Sequence, residues 1–232
     1  MIPAAVHDAE LPAGLVAIPV RTRLIRRGDD LAELLRDALA GTARPGDVVA
    51  IAETAVAIAQ GRFIGAETIR PSWLARTLAR RAGALATVNQ PESLQLVIDN
   101  VGWWRVCGAA LAHVGGRAVG RRGVFYELLG EAVAAIDGYT GTLPPYQRAI
   151  VLGPAEPDRV STELAAALGF HVAIVDANNL HRAKTLGASP QVVRAGVERA
   201  LLDNPHGNGD EQTPLVVLAW RGAGPHPLVR AA

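Results

Sequence analysis

Three short turns of this sequence combine acidic or amide side chains with small residues, and each lies next to an apolar run. The turns span residues 136–141, 175–179 and 207–212. Carboxylate and amide oxygens suit Mg²⁺ or Mn²⁺, and glycine lets backbone N–H groups approach phosphates closely. One such turn alone is more often a solvated loop. The three together predict a site for a metal ion and phosphate.

Almost all of the positively charged residues in this sequence are arginines. Of the 23 basic residues only Lys184 is a lysine, so chemistry that needs an ammonium falls to Lys184 or to the N-terminus. Arg62 and the pair Arg121–Arg122 have the guanidinium fork that binds carboxylates and phosphates, although most surface arginines are simply solvated. His206 stands beside the last glycine turn and is a functional candidate, with a solvated loop histidine as the more common alternative.

Composition indicates a globular protein with a substantial core. The chain has 232 residues, of which 50% are hydrophobic and 19% charged, and its formal net charge is +1. This balance gives no electrostatic reason to expect nucleic acid as a partner. The lone Cys107 excludes an internal disulfide, and no apolar stretch reaches the ~18 residues needed to span a bilayer. No leader-like segment opens the sequence, so we expect a cytoplasmic protein without a membrane partner.

Apolar periodicity predicts alternating strands and helices in the first half of the chain. Leu15–Val20 and Val48–Ala52 have the pattern of short strands, and the spacing of leucines after Leu31 predicts a helix between them. Further helices are expected at Pro71 and Pro91, because proline is favoured in the first helical turn. Strands that alternate with helices predict an α/β fold.

The most regular unit lies in the second half. Apolar strands at 149–152 and 172–175 flank a helix that ends at Gly169. A strand, a helix and a strand in this order predict a right-handed parallel pair. Asp176 would then emerge at the carboxyl end of its strand, where open α/β sheets bind ligands. A last helix and a strand at 215–218 follow.

The order of these segments resembles the coenzyme F420-0:gamma-glutamyl ligase family. The similarity runs from about Ile18 to Arg221 and begins with Ile25–Leu34 and Gly46–Val49, which look like the opening turn, helix and strand of the family. The three acidic turns then follow in the family's order. The resemblance implies an enzyme that uses GTP and a divalent metal ion to join L-glutamate to a deazaflavin coenzyme precursor.

The resemblance also suggests roles for individual residues. It implies metal-ligand roles for Asp137 and Asp176, with Asn208 in the place of an amide or acid ligand. Candidate contacts to the nucleotide are Gly207, Gly209, Arg62 and Asn178. The expected cofactors are Mg²⁺ or Mn²⁺ and GTP, and the expected partners are a small-molecule substrate and a nucleotide. No catalytic side chain is assigned.

The implied architecture is a mixed sheet with flanking helices, built as two intertwined lobes. One lobe would span residues 15–115, and the other, which carries the acidic turns, residues 116–221. A tail at 222–232 would follow. The resemblance further implies a homodimer.

Two departures from the family pattern define an alternative function. Ile58 lies in Ala57–Gly61, where the family has a phosphate-side lysine followed by an acid, and Ala177 replaces a hydroxyl residue beside Asp176. Ile58 cannot supply a positive charge. The alternative is therefore a homologue that binds a nucleotide or metabolite without ligase activity. In a ligase, by contrast, a carboxylate would attack the γ-phosphate of the nucleotide, and an amine would capture the acyl phosphate.

Overall fold

The computed structural model describes residues 12–82, 87–118, 120–121, 123–130, 133, 136–139, 143–207 and 211–230. The chain forms two compact units. Unit 1 comprises Met1–Gly61 and Pro154–Ala232, and unit 2 comprises Arg62–Gly153. Unit 2 is thus inserted into unit 1, a different division from the consecutive lobes expected on either side of residue 115.

The elements confirm the expected mixture of helices and strands. In chain order they are β1 (Leu15–Val20), α1 (Leu31–Leu39), β2 (Val48–Ala52), α2 (Glu53–Ala59), β3 (Phe63–Gly65), α3 (Trp73–Ala79), α4 (Pro91–Val101), α5 (Trp103–Ala118), α6 (Val124–Leu129), β4 (Ile136–Tyr139), β5 (Ala149–Leu152), α7 (Pro157–Leu168), β6 (His171–Asn178), β7 (Arg182–Ala188), α8 (Arg194–Ala200) and β8 (Leu215–Trp220). Single turns of 3₁₀ helix follow β3 and precede α4.

Unit 1 is built around a mixed five-stranded sheet in the order β1-β8-β2-β6-β7. The pair β2–β6 is parallel, and the other neighbouring pairs are antiparallel. Val48–Ile51 of β2 has no solvent-accessible surface, and neither does Leu215–Ala219 of β8. Continuous apolar runs of this kind belong to strands that are covered on both faces.

Helix α1 shows how local sequence sets the helical boundaries in this unit. Its N-cap is Asp30, whose carboxylate accepts hydrogen bonds from the backbone N–H groups of Ala32 and Glu33. This cap satisfies two of the amides that an α-helix leaves unpaired at its start. Leu35 and Leu39, one turn apart, are buried and anchor the helix on the core side.

The predicted parallel unit around α7 is wrong. Strand β5 belongs to a separate three-stranded sheet, in the order β3-β5-β4, while β6 lies in the five-stranded sheet. Both neighbours of β5 are antiparallel to it. Short apolar runs of this length predict strands correctly, but they do not identify the pairing partner, which is decided by tertiary contacts.

Unit 2 combines the three-stranded sheet with helices α3 to α6. Its core is formed by apolar side chains of these helices and strands, including Leu94, Val97, Val106 and Ile150. Helix α5 leaves much of its apolar surface exposed, and the Trp103–Trp104 pair is more than half exposed. Both tryptophan side chains therefore lie outside the core of unit 2, although they belong to an apolar segment of the sequence.

Hydrogen bonds fasten the chain where it enters and leaves the insertion. Within unit 1 the side-chain amide of Gln60 donates to the carbonyl of Ala155 at 3.0 Å, and its oxygen accepts from the Ala155 N–H at 2.8 Å. Within unit 2 the Arg62 guanidinium donates to the Gly153 carbonyl at 2.6 Å. The Gln60 bonds thus hold together the two points at which unit 1 is interrupted. The Arg62 bond holds together the two ends of unit 2.

Replacement of Leu35 by alanine tests the assigned core of unit 1. Leu35 is fully buried, so Leu35→Ala should lower the free energy of unfolding by about 2–5 kcal/mol, through lost burial and a residual cavity. Urea unfolding followed by circular dichroism measures the change. Leu180→Ala is the matched control because its side chain is 59% exposed, and it should have little effect. Equal losses in both variants would contradict the assigned core.

Candidate functional site

Asp176 lies at the point where the parallel strand pair of unit 1 ends. The pairing of β2 with β6 runs from Val48 opposite His171 to Ala52 opposite Val175, so Asp176 is the first residue beyond it. Burial changes at the same point, because Val175 is buried and Asp176 is exposed. The strand does not stop before Asp176, as predicted, but continues to Asn178 beside β7.

The continuation of β6 brings the only lysine of the chain opposite Asp176. In the antiparallel register of β6 and β7, Asp176 faces Lys184 and Asn178 faces Arg182. Directly opposed residues of such a pair project from the same face of the sheet. A register shift between Ile174 and Val175 precedes these pairs. Sequence reasoning identified Lys184 as the only side-chain ammonium but gave no partner for it.

An open cavity of about 520 Å³ lies above this face of the hairpin, against helix α8. Its polar lining comes from β6, β7 and α8 and includes Asp176, Asn178, Arg182, Lys184, Glu198 and Arg199. The whole lining belongs to unit 1. The contribution of α8 is not predictable from the sequence, since nothing in a helix of seven residues indicates which strand it packs against.

The Asp176 carboxylate is poorly compensated in this cavity. Loss of hydration in the surrounding protein raises its pKa above the ordinary value, and the nearby positive charge of Lys184 opposes that rise. Its carboxylate makes no hydrogen bond or ion pair with the described residues. A carboxylate in this state gains stability from a bound cation, whether metal ion or amine.

Unlike the Asp176 carboxylate, the Glu198 carboxylate forms a hydrogen bond with a neighbouring strand. Its carboxylate accepts a hydrogen bond from the Thr185 N–H at 2.8 Å, which links α8 to β7. On the far end of β7, the Asp158 carboxylate accepts from the Ala188 N–H at 2.9 Å and pairs with Arg194. The Glu198 bond fixes α8, which forms one wall of the cavity, to β7, and the Asp158 bonds fix α7 to β7 and to α8.

The other predicted metal ligands are placed only in part. Asp137 lies in β4 of unit 2, opposite Val151 of β5, next to a register shift before Tyr139. Asn208 and Gly209 lie outside the described residues. Within the described ranges, no three His, Cys, Asp or Glu side chains form a cluster that could hold a metal ion. The metal site formed by Asp137, Asp176 and Asn208 stays a prediction.

The residues predicted to contact the nucleotide belong to different units of the chain. Gly207 has φ of 74°, and a side chain there would meet the Glu211 carboxylate, so this position requires glycine. The side-chain oxygen of Asn178 accepts from the Leu180 N–H at 2.9 Å, while the residue also lines the cavity. Arg62 is bonded to the Gly153 carbonyl within unit 2.

Ile58 is part of the packed interior. It lies in α2 and is buried together with Val56 of the same helix. An isoleucine side chain therefore has an apolar environment at this position. The observation agrees with the absence of a phosphate-binding cation there.

His206 is buried, so the alternative of a solvated loop histidine is wrong. Its Nδ1 lies 3.2 Å from the Thr213 carbonyl oxygen, and the Thr213 hydroxyl donates back to the His206 carbonyl at 2.5 Å. Burial lowers the pKa of His206 to about 4, with the bond to Thr213 opposing the shift. The ring is therefore neutral near pH 7, and Nδ1–H donates to the carbonyl. Together the two bonds close the base of the last glycine turn.

Comparison with known proteins identifies relatives of this chain. The family model described as F420-0:gamma-glutamyl ligase matches residues 19–104. A coenzyme F420:L-glutamate ligase from Methanopyrus kandleri is 33% identical over 146 residues, which cover 63% of this chain and 50% of that protein. The aligned region thus spans half the length of this relative. No helix among the described residues has the length and apolar character needed to cross a membrane.

Neutralising Asp176 should stabilise the metal-free protein near neutral pH. A raised pKa in the folded state means that ionisation costs stability as pH increases through that pKa. Asp176→Asn removes this cost, so we expect a higher melting temperature at pH 7 in the presence of EDTA. The difference should disappear at low pH, where the carboxyl group of the wild type is protonated. A lower melting temperature for Asp176→Asn at pH 7 would contradict this account, and Asp37→Asn, at an exposed position of α1, is the control.

Protonation of His206 should destabilise the fold in acid. Because the folded pKa of about 4 lies below the usual histidine value of about 6.5, the unfolded chain binds the proton more tightly. Stability is therefore lost as pH falls from about 6.5 towards 4, by roughly 3 kcal/mol at most from this residue. Urea unfolding at a series of pH values measures the slope.

His206→Gln should flatten that slope between pH 6.5 and 4. The matched control is His181→Gln, since His181 has a side chain that is 74% exposed. Its substitution should leave the slope as in the wild type. If the wild-type and His206→Gln proteins lose stability equally in acid, the buried neutral ring is not the cause.

Proposed function

Because residues 19–104 match the F420-0:gamma-glutamyl ligase family model, we propose that the chain forms an amide bond on a coenzyme F420-like substrate. The amine would come from L-glutamate, as the name of the Methanopyrus kandleri relative states for that protein. The observation that carries the proposal in this chain is the position of Asp176. Its undercompensated carboxylate lies at the carboxyl end of the parallel β2–β6 pair and opens into a cavity.

The proposed reaction has two steps. A substrate carboxylate attacks the γ-phosphorus of GTP, which releases GDP and leaves an acyl phosphate. The amine of glutamate then attacks the acyl carbon, inorganic phosphate leaves, and the amine loses a proton. This chemistry needs no nucleophilic side chain from the protein, since the substrates supply both nucleophiles. The protein has to position the two substrates and stabilise charge on the phosphoryl group.

Asp176 fits the role of a ligand to Mg²⁺ or Mn²⁺. Its carboxylate is accessible from the cavity and has no partner among the described residues. A bound divalent ion would neutralise phosphate charge during transfer. Lys184, opposite Asp176 in the register, would hold an anionic group close to the same point. Asp137 and Asn208 remain the further proposed ligands.

The last glycine turn would contribute backbone groups to phosphate binding. Gly207 has a positive φ and carries no side chain, while its own N–H donates to the Asn204 carbonyl at 3.0 Å, so the proposed donors to phosphate are the backbone groups that follow Gly207. The bonds between His206 and Thr213 fix the base of this turn.

The specific observation that favours the second candidate function is the buried Ile58. A homologue that binds a nucleotide or metabolite without ligation needs no cation at that position, and α2 packs well with isoleucine there. The two candidates differ in product formation. A ligase releases inorganic phosphate in the presence of glutamate and acceptor, whereas a binding protein is only stabilised by its ligand.

Thermal unfolding with ligands tests the proposed nucleotide site. We expect GTP together with Mg²⁺ or Mn²⁺ to raise the melting temperature, and neither component alone to do so fully, because Asp176 would hold the metal ion and the ion would neutralise charge on the phosphates. Asp176→Ala and Asp137→Ala should abolish the metal-dependent shift while the folds are retained. Asp37→Ala is the control and should keep it.

A product assay then separates the two candidates. Phosphate release that requires L-glutamate and coenzyme F420-0 supports the ligase. A nucleotide-dependent shift without phosphate release supports the binding homologue. Unchanged shifts in both Asp137→Ala and Asp176→Ala would remove the metal site from the proposal. The homodimer and the cytoplasmic location stay predictions, and analytical ultracentrifugation checks the first.

A further inference from the structure

Three positively charged side chains surround the cavity beside Asp176. Lys184 and Arg182 come from β7, and Arg199 comes from α8. None of the three forms an ion pair or a side-chain hydrogen bond with the described residues. Lys184 is also the only lysine in the sequence. Unpaired cations that converge on one open cavity constitute a favourable environment for an anion.

Arg199 carries the most specific signal. Its Nε–H is buried and has no hydrogen-bond partner within the described part of the chain. A buried charged donor that lacks a partner destabilises the folded protein, and an oxygen of a bound anion would satisfy it. The planar guanidinium group also matches the two oxygens of a carboxylate or phosphate in one plane.

The acidic side chains of the cavity form no ion pairs with these three cationic side chains. Glu198 is already engaged through the Thr185 N–H. Asp176 faces Lys184 in the strand register, but the two side chains do not form an ion pair. At the rim, the exposed His181 ring lies 3.4 Å from the Asp203 carboxylate. The remaining cationic groups can therefore contact a ligand without breaking an internal ion pair.

We propose that Lys184 and Arg199 form an oxyanion site that holds a phosphate or carboxylate group of a small-molecule substrate, with Arg182 at its edge. The ammonium and the guanidinium would donate to the oxygens of one anionic group. The identity of that group rests on the proposed function, since a ligase of this kind handles both nucleotide phosphates and the carboxylates of an amino acid. The presence of the anion site does not depend on catalysis.

Isothermal titration calorimetry with simple anions tests the site directly, without metal ions. The probes are inorganic tripolyphosphate and L-glutamate, titrated separately into the wild type and variants. Binding of tripolyphosphate assigns the site to nucleotide phosphates, and binding of L-glutamate assigns it to carboxylates. In either case Lys184→Gln and Arg199→Gln should weaken binding at least about tenfold, as expected for the loss of a charged hydrogen bond.

Arg21→Gln is the matched control. Arg21 is an exposed arginine of unit 1 that does not line the cavity, so its substitution should leave the affinity unchanged. Lys184 is exposed as well, so Lys184→Gln keeps the test valid if Arg199→Gln fails to fold. The proposal is overturned if neither anion binds the wild type, or if Lys184→Gln binds both as the wild type does.

The outcomes also separate this site from the proposed function. Anion binding that is lost in the variants, without ligation under any condition, retains the site and removes the ligase. Ligation that proceeds with unchanged kinetic constants in Lys184→Gln and Arg199→Gln retains the ligase and removes the site. Ligation with a raised KM for only one substrate, and an unchanged kcat, supports both and identifies the anion.

Discussion

The complete burial of β2 is the constraint from which the arrangement of unit 1 follows. From Val48 to Ile51 its side chains are inaccessible to water, so both faces of the strand need apolar cover. The strand is also paired along both edges, with β6 on one side and β8 on the other, so its position is tied to both neighbours. Because β6 is the parallel neighbour of β2, the same constraint fixes the position of Asp176.

The cavity exists because β6 continues after β2 has ended. Beyond Val175 one edge of β6 no longer has β2 beside it, while the other edge still pairs with β7. Helix α7 can approach β7 closely only because position 187 is glycine, where a side chain would collide with the backbone of Pro157. The buried strands beneath the site are apolar, and its polar side chains come from the ends of β6 and β7 and from α8.

Local patterns predicted the elements better than their partners. The strands at Val48–Ala52 and Leu215–Leu218 are readable because burial on both faces requires uninterrupted apolar residues. The sequence does not predict the pairing partners of β5, because its four apolar residues fit either sheet equally well. The hairpin that brings Lys184 opposite Asp176 was also missed, since the polar residues of its turn end the apolar signal early. His206 was misjudged for a related reason: proximity to a glycine turn suggests exposure, whereas its bonds to Thr213 draw it into the interior.

The hydrogen bonds between Gln60 and Ala155 hold together the two points at which unit 2 interrupts unit 1. The insertion therefore affects the sheet of unit 1 only locally. A single amide side chain, through its two bonds, holds together residues that are distant in sequence. Arg62 and Gly153 close the inserted segment in the same way. Since closure entropy grows only slowly with loop length, a segment with joined ends can be lengthened, shortened or exchanged at little cost. The Gln60–Ala155 junction is therefore the point at which a different insert could replace unit 2 while the sheet of unit 1 is kept.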